Sequence, residues 1–503
     1  MGFPLPPSLG FSALSLLLLA PALQAQGSAN PRLDEAVRLL RSRPEPTVRR
    51  GAELCLEVNN EKAVELLLDV FNDPQPHYRD IVWEVLPRFT NPYVHKRIEY
   101  ELASNKRNGR VRQWCAQLLG IYGDVSLAPT LVKALRDKEI FVQRAAARSL
   151  GMLRYAKAVR ALEKSSRSKD SYLRANAWEA LARIEPEAYK TKFLNALQKD
   201  KDGGTRCAML GVLPELYPEE VEKASALALQ DDDWRVRFQA AENLESIQVK
   251  TAVDSLIRAS EDLRPVVRTR IHAAAQNLTG MKWTMRKQWE DWWDKEREDF
   301  RFPESSSAEA EAHASAQASA EAQATVTYNG LPVISDHIAF LVDKSSGMGE
   351  GLKSEPRSKD RAALRELEET LSRLPEGVMF NIYLYEGKVE AMNPKGPMAL
   401  KSKSTKQALK FVGGRHNSGY KDIWKALEIV VQDPEIDTVY LLSSGEPEIG
   451  LYVHWNRVTE HLKELNRFHK VVIHTVAYSE IEWYREQIQK IAEATGGSYV
   501  WKE

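Results

Sequence analysis

Between Pro31 and about Gly280, apolar and small residues recur at helical spacing, and the recurrence itself repeats. The segments TVRRGAELCL, HYRDIVWEVL, RVRQWCAQLLG, FVQRAAARSLG, YLRANAWEALA, GTRCAMLGVL, RVRFQAAENL and VVRTRIHAAAQNL align on Arg49, Arg79, Arg112, Arg144, Arg174, Arg206, Arg237 and Arg268. Successive arginines are 30, 33, 32, 30, 32, 31 and 31 residues apart. Each opens a run whose small and apolar positions share one helical face, as with Ala145, Ala146, Ser149 and Leu150. The other half of each unit is helical too, as in LAPTLVKALRD and AVDSLIRASED. Repeated helix pairs of about 30 residues predict a stacked solenoid, because one pair cannot bury its apolar face alone.

An aspartate precedes most of the arginines: Asp73, Asp137, Asp170, Asp202, Asp232 and Asp262. Such a residue accepts from free N–H groups at a helix start, and a planar guanidinium can bridge it to a neighbouring turn. Because carboxylate and guanidinium repeat together, an internal Asp–Arg ladder is expected rather than a cationic stripe for an acidic ligand. Cys55, Cys115 and Cys207 fall in different units, too far apart to bridge when packed helices stand about 8–10 Å apart. After the last unit, Trp289, Trp292, Trp293 and Phe300 lie near one helical stripe, as expected of a cap over an open solenoid end.

The pattern changes at Pro303. PESSSAEAEAHASAQASAEAQAT has almost nothing large to bury and reads as a linker between two independently folded parts. Beyond it, nearly continuous apolar runs (HIAFLVD, VMFNIYLY, TVYLLSS, KVVIHTVAY, SYVW) alternate with amphipathic ones (KDRAALRELEETLSRL, DIWKALEIVV, YREQIQKIAEATG). Strands apolar on both faces, separated by helices, predict a doubly wound parallel sheet. Ligands of such sheets bind outside the carboxyl ends of the strands, where FLVDKSSGMG (340–349) would lie.

The arginine-centred repeat resembles HEAT-like repeats, in particular the short variety of the phycobilisome lyases. The second part resembles the von Willebrand factor A domain over 334–502, through IAFLVDKSSGM, MFNIYLYEGKVEAM, DPEIDTVYLLSSGEPEIG and the ending IHTVAYSE to SYVWK. The expected architecture is therefore multi-domain: a signal peptide at 1–25, an all-α solenoid with its Trp-rich cap at 31–302, a linker at 303–327 and an α/β domain at 328–503. The combination resembles bacterial extracytoplasmic proteins.

The von Willebrand resemblance implies a metal-ion-dependent adhesion site: Asp-x-Ser-x-Ser in the first loop, Thr in the second and Asp in the third, hard oxygen ligands suited to Mg²⁺. Asp343 and Ser345 match, but Gly347 stands at the third position, with Ser346 displaced by one. The second loop offers Lys421, or Tyr420 in a slipped register, and the third offers Ser444. One carboxylate remains, and a lysine there would repel Mg²⁺ and meet Asp343 or the Ser345 hydroxyl instead. The metal site is expected to be lost.

Charge and composition narrow the rest. Lys+Arg and Asp+Glu are both 70, a balance unlike that of a phosphate-binding protein, so no nucleic-acid partner is expected. The apolar run from Phe11 to Ala20 ends in LQA before Gln26, which suits signal peptidase although no Lys or Arg precedes it. No later segment has the length and apolarity of a membrane span. The sequence contains no HExxH, GxSxG, Walker A or dinucleotide fingerprint, and its ten histidines do not cluster. The expected function is a non-catalytic extracytoplasmic protein-interaction scaffold, without a cofactor. The alternatives are a Mg²⁺-dependent adhesion protein and an enzyme of the HEAT-like lyase type.

Overall fold

A computed structural model of the chain describes residues 30–502 apart from 43, 72, 74, 107, 304–325 and 352–357. The expected signal peptide and almost all of the expected linker lie outside the described residues. No helix among the described residues is long and apolar enough to cross a membrane.

The first compact unit ends at Val94. It contains helices Pro31–Leu40, Glu45–Val58, Glu61–Phe71 and Pro76–Val85, each presenting an apolar stripe. Prolines occupy the first turns of three of them, where the missing N–H costs no helical bond.

The second unit, His95–Glu503, carries both the remaining helical repeats and the α/β region. Its arginine-bearing helices are Gly109–Tyr122, Ile140–Met152, Ser171–Ile184, Gly203–Leu216, Trp234–Glu245 and Pro265–Thr279. Asn108, Asp170, Asp202 and Asp233 cap four of them through their side chains. Neighbouring units are tied by polar contacts in a small-residue seam: Ser149 Oγ donates to Ala116 O at 2.8 Å, and Asn243 Nδ2 to Leu210 O at 2.9 Å. The last helix, Arg286–Glu296, closes the stack. Trp289 is fully buried and donates to His272 Nδ1 at 3.0 Å, and Trp293 donates to Asp254 at 2.6 Å. The aromatic stripe is thus a cap, as expected. The three cysteines are buried and unbridged. Burial pushes the thiols of Cys55 and Cys207 up to about 12.

The α/β region starts with a hairpin absent from the sequence-based reading, β1 (Thr327–Tyr328) and β2 (Leu331–Pro332). Its turn is Asn329–Gly330, with φ 55° and 91°, the left-handed pair that a tight hairpin needs. The main sheet contains β3 (His337–Asp343), β4 (Met379–Tyr385), β5 (Val389–Ala391), β6 (Met398–Ala399), β7 (Thr438–Ser443), β8 (Val472–Tyr478) and β9 (Tyr499–Lys502). The order is β5-β4-β3-β7-β8-β9, with β6 also on β4; β3, β4, β7, β8 and β9 are parallel, β5 and β6 antiparallel. Six of the seven β3 residues are buried, on both faces of the sheet. Helices Lys359–Arg373 and Ser402–Gly413 pack together, and Ile423–Val431, Trp455–Asn466 and Glu482–Glu493 pack in series. This is the doubly wound arrangement expected. Ser402–Gly413 and Trp455–Asn466 are two helices that the apolar pattern had not singled out.

The two parts are not independent. The turn after helix Trp455–Asn466 lies on the arginine-bearing helices of successive repeats. Phe468 joins the solenoid core and packs on Tyr172 at 4.3 Å between ring centroids. Tyr172 Oη and His469 Nε2 are hydrogen-bonded at 2.6 Å, Trp114 Nε1 donates to Tyr452 Oη at 3.4 Å and Trp234 Nε1 to Pro434 O at 3.3 Å. Glu179–Arg467 and Glu242–Lys470 are ion pairs of 2.6 Å, and Arg148 pairs with Glu464. Gly204 permits the approach, since a Cβ there would come within 2.9 Å of Phe468 O.

Candidate functional site

The ladder arginines come first, because they were the alternative binding surface. Five of them grip a carboxylate two-handed through Nε and a terminal nitrogen. Arg112 holds Asp137 at 2.7 and 2.8 Å, and Arg144 holds Asp170 at 2.9 and 2.5 Å. Arg174 holds Asp200 at 2.8 and 2.7 Å, Arg206 holds Asp231 at 2.8 and 2.5 Å, and Arg237 holds Asp262 at 2.6 and 3.0 Å. Each carboxylate belongs to the following unit. In four of these arginines the other terminal nitrogen donates to a carbonyl just before their own helix, such as Asp200 O for Arg206 and Asp231 O for Arg237. Each such arginine therefore joins one helix start to the next.

Two carboxylates differ from the expected set. Asp200 and Asp231, rather than Asp202 and Asp232, meet the arginines; Asp202 is an N-cap that accepts from Thr205 N at 2.7 Å. The ladder also changes at its ends. Arg49 pairs with Glu84 at 2.6 Å and Glu45 at 3.3 Å, and Arg268 donates to Asp262 O at 2.8 Å. Arg79, in helix Pro76–Val85, belongs to the first unit with Arg49.

The second candidate lies at the carboxyl ends of β3 and β7. Asp343 terminates β3 and is fully buried. Its Oδ1 accepts from Ser345 N at 2.7 Å; its Oδ2 accepts from Ser444 N at 2.9 Å and Ser444 Oγ at 2.7 Å. Lys421, just before helix Ile423–Val431, reaches the same crevice with 6% exposure. Its Nζ donates to Ser345 Oγ at 3.4 Å and pairs with Glu448 at 3.1 Å. Of the two partners expected for Lys421, Asp343 or the Ser345 hydroxyl, the ammonium reaches the hydroxyl; Ser444 takes the Asp343 carboxylate, and Glu448, not foreseen, pairs with the ammonium. Tyr420 is 63% exposed, so the lysine register is the one that fills the crevice. A Cβ on Gly347 would stand 2.8 Å from Ser444 Oγ and 3.8 Å from Lys421 Nζ. Ser346 is exposed and its Oγ donates to Gly419 O at 3.2 Å, so it does not replace the hydroxyl missing at Gly347.

These donors suit a divalent cation poorly. The carboxylate accepts three hydrogen bonds already, and a cation beside it would face an ammonium that shares the Ser345 hydroxyl. Lys344 adds a second buried cation near the loop, 1% exposed and 2.5 Å from Asp360. The letters VDKSS gave no indication of its inward course.

At the opposite end of the sheet, ligand atoms of Asp336, His337 and Asp437 lie within 4.8 Å of one another. Asp437 accepts from Ser335 Oγ, from Thr438 Oγ1 at 2.9 Å and from Arg264 at 3.3 Å. Burial pushes its carboxyl up to about 6, against the pull of these donors. Arg264, from the solenoid, already supplies the positive charge there.

The family model for HEAT repeats matches residues 100–182 and 191–276. Those two segments are HEAT repeats. No curated protein matches the chain. Among solved structures, a von Willebrand factor type A protein from Catenulispora acidiphila is similar at 17% identity and a TM-score of 0.28, covering 34% of this chain and 40% of that one. This chain thus spans two fifths of that protein's length. The complex of CpcE and CpcF of phycocyanin lyase from Nostoc sp. PCC7120 is similar at 17% identity and a TM-score of 0.29, covering 48% and 98%. Human deoxyhypusine hydroxylase is similar at 18% identity and a TM-score of 0.24, covering 48% and 94%.

Proposed function

We propose that this protein is a non-catalytic, exported protein-interaction scaffold whose von Willebrand factor A-like domain works without a resident divalent cation. The observation that carries this reading is that charged groups in both candidate sites close on one another. Five ladder arginines are held by aspartates of the next repeat, and the crevice lysine, serines and aspartate satisfy each other. Groups engaged in this way hold a shape rather than turn over a substrate. HEAT repeats are compatible with protein binding, since a stacked array offers a long, rigid surface. The arginine-bearing helices between Trp114 and Arg264 already carry the α/β domain, so a partner protein meets the combined body rather than a bare solenoid face.

The test uses the full mature chain. Calorimetry with Mg²⁺ and Mn²⁺ is expected to show no saturable heat, and capture of a specific polypeptide from the source organism's extract is expected to be equal in EDTA and in Mg²⁺. Saturable micromolar Mg²⁺ binding, or capture that EDTA abolishes, sinks the metal-free reading in favour of metal-dependent adhesion. N-terminal sequencing of native protein is expected to start near Gln26; a start at Met1 or Gly2 sinks export.

A further inference from the structure

A cavity of about 620 Å³ lies where helix Pro265–Thr279 of the solenoid faces the amino-terminal ends of β7 and β8, at the end of the sheet away from Lys421. That volume falls within the range of pockets for small organic ligands, and such pockets favour the seams between packed parts of a protein. Its walls are largely apolar: Phe238, Val266 and Ala273 from the solenoid, Pro332, Ile334 and Val472 from the α/β domain.

Two residues that carry hydrogen-bond donors line this space. Arg270 lines it and offers five N–H donors, of which one terminal nitrogen pairs with Glu245. Burial pulls its guanidinium below the usual arginine range, against the opposing pull of nearby Glu242. His474 lines it too. Its Nδ1 accepts from Ser498 N at 3.0 Å, so the proton of the neutral ring sits on Nε2 as a second donor. Burial lowers His474 to about 4, which keeps the ring neutral at pH 7. The other charged lining groups are Glu242 and Lys470, which pair with each other at 2.6 Å, and the exposed Glu493.

We propose that this cavity binds an amphipathic small molecule with one carboxylate, its apolar body between the two walls and its carboxylate on Arg270. A guanidinium takes a carboxylate through two parallel hydrogen bonds, a match that a neutral amide does not reproduce. His474 Nε2–H is the donor for a second oxygen on the ligand. Because the walls come from both parts, an occupant bridges them and favours the docked arrangement over any undocked one.

The experiment titrates the full chain with 3-phenylpropionate and, as the uncharged control of the same shape, 3-phenylpropanamide, by calorimetry at neutral pH. The expected result is saturable one-to-one binding of the carboxylate, with the amide about tenfold weaker. Ala273→Trp fills the apolar wall and is expected to abolish binding. Arg270→Met is expected to erase the preference for the carboxylate; should that variant fail to fold, Ala273→Trp still decides. Absence of saturable binding at millimolar 3-phenylpropionate overturns the proposal. So does equal affinity for acid and amide, or binding that survives Ala273→Trp. None of these outcomes bears on Mg²⁺ or on capture of a protein partner, which test the scaffold reading separately.

Discussion

The Asp–Arg ladder and the crevice at Lys421 use the same chemistry, a carboxylate and a cation held in a protein wall, with opposite logic. In the ladder the cation meets the carboxylate directly, in a bidentate grip that recurs from Arg112 to Arg237. In the crevice the carboxylate of Asp343 is taken by Ser444, and the cation Lys421 is taken by Glu448. The ladder is a rule repeated, so its arginines can be read from one another. The crevice is a single arrangement built from departures, and each departure had to find its own partner. Charges in register along a repeat report stacking, whereas isolated charges at strand ends have to be followed individually.

The sharpest way to break this contrast is to cut the ladder where it is driest. Arg174 and Asp200 keep 7% and 9% side-chain exposure, whereas Arg144 keeps 31%. Arg174→Ala strands a buried carboxylate and is expected to cost about 3–5 kcal/mol. Arg144→Ala, better screened, is expected to cost about 1–2 kcal/mol. Urea and thermal unfolding of the full chain measure both. Equal, negligible losses would mean that the ladder is ornamental and its arginines are available for a ligand after all.

The crevice should respond less. Asp343→Ala leaves the N–H groups of Ser345 and Ser444 and the Ser444 hydroxyl without their acceptor in a buried place. A loss of about 2–3 kcal/mol is expected, with no change in Mg²⁺ affinity. A change in metal affinity without loss of stability would reverse the reading of this site.

Much of this was legible in the chain. The helix pairs, the ladder, the Trp cap and the five parallel strands each rest on many residues sharing one period, so single errors average out. Three things were not. Asp200 and Asp231 lie a residue or two from the aspartates that spacing favoured, and several adjacent carboxylates in one turn can serve as ladder partner, cap or, like Asp170, both. Glu448 reaches Lys421 from 27 residues away, with no periodicity to announce it. The docking through Phe468 and His469 depends on a turn whose letters, RFHK, look like an ordinary polar loop.

That docking predicts a pH response that begins above the acid range of the ladder carboxylates. His469 is buried against Tyr172, and burial lowers it from 6.5 to about 4. Between those values the unfolded chain binds a proton that the folded one refuses, so stability is lost as pH falls from 6.5 towards 4. By pH 5 this amounts to about 2 kcal/mol. Glu179 and Glu242 act in the same direction lower down. Burial opposes their charge, but Arg467 and Arg183, and Lys470 and Arg270, outweigh it and hold them below the usual carboxylate range. Their contribution is lost as pH falls through those lowered values. Asp437, raised to about 6, runs the other way and loses stability as pH rises from 3.8 to 6. Melting temperature is therefore expected to drop from pH 7 to pH 5. His469→Gln, which keeps an acceptor for Tyr172, should reduce proton uptake on unfolding by about one at pH 5. An unchanged proton count would remove His469 from the account.

The smallest effect is also the most direct comparison of crevice with ladder: turning the crevice into a metal site. Lys421→Thr removes the ammonium from Ser345 and from Glu448, whose carboxylate keeps the backbone N–H of residue 421 and gains a free oxygen nearby. Ser444→Asp replaces a hydroxyl that donates to Asp343 with a second carboxylate. Those two carboxylates would repel each other without a cation between them, so the double variant should be destabilised in EDTA and recover with Mg²⁺. Gly347 still supplies no hydroxyl, and a serine there would crowd Ser444 in the natural chain, where a Cβ already comes to 2.8 Å of its Oγ. With that ligand missing, a dissociation constant of roughly 0.1–1 mM is expected, the range of weak oxygen sites. Calorimetry and a Mg²⁺-dependent rise in melting temperature measure it, with the natural chain as control. Equal Mg²⁺ responses in the natural chain and the double variant would show that Lys421 does not exclude the metal.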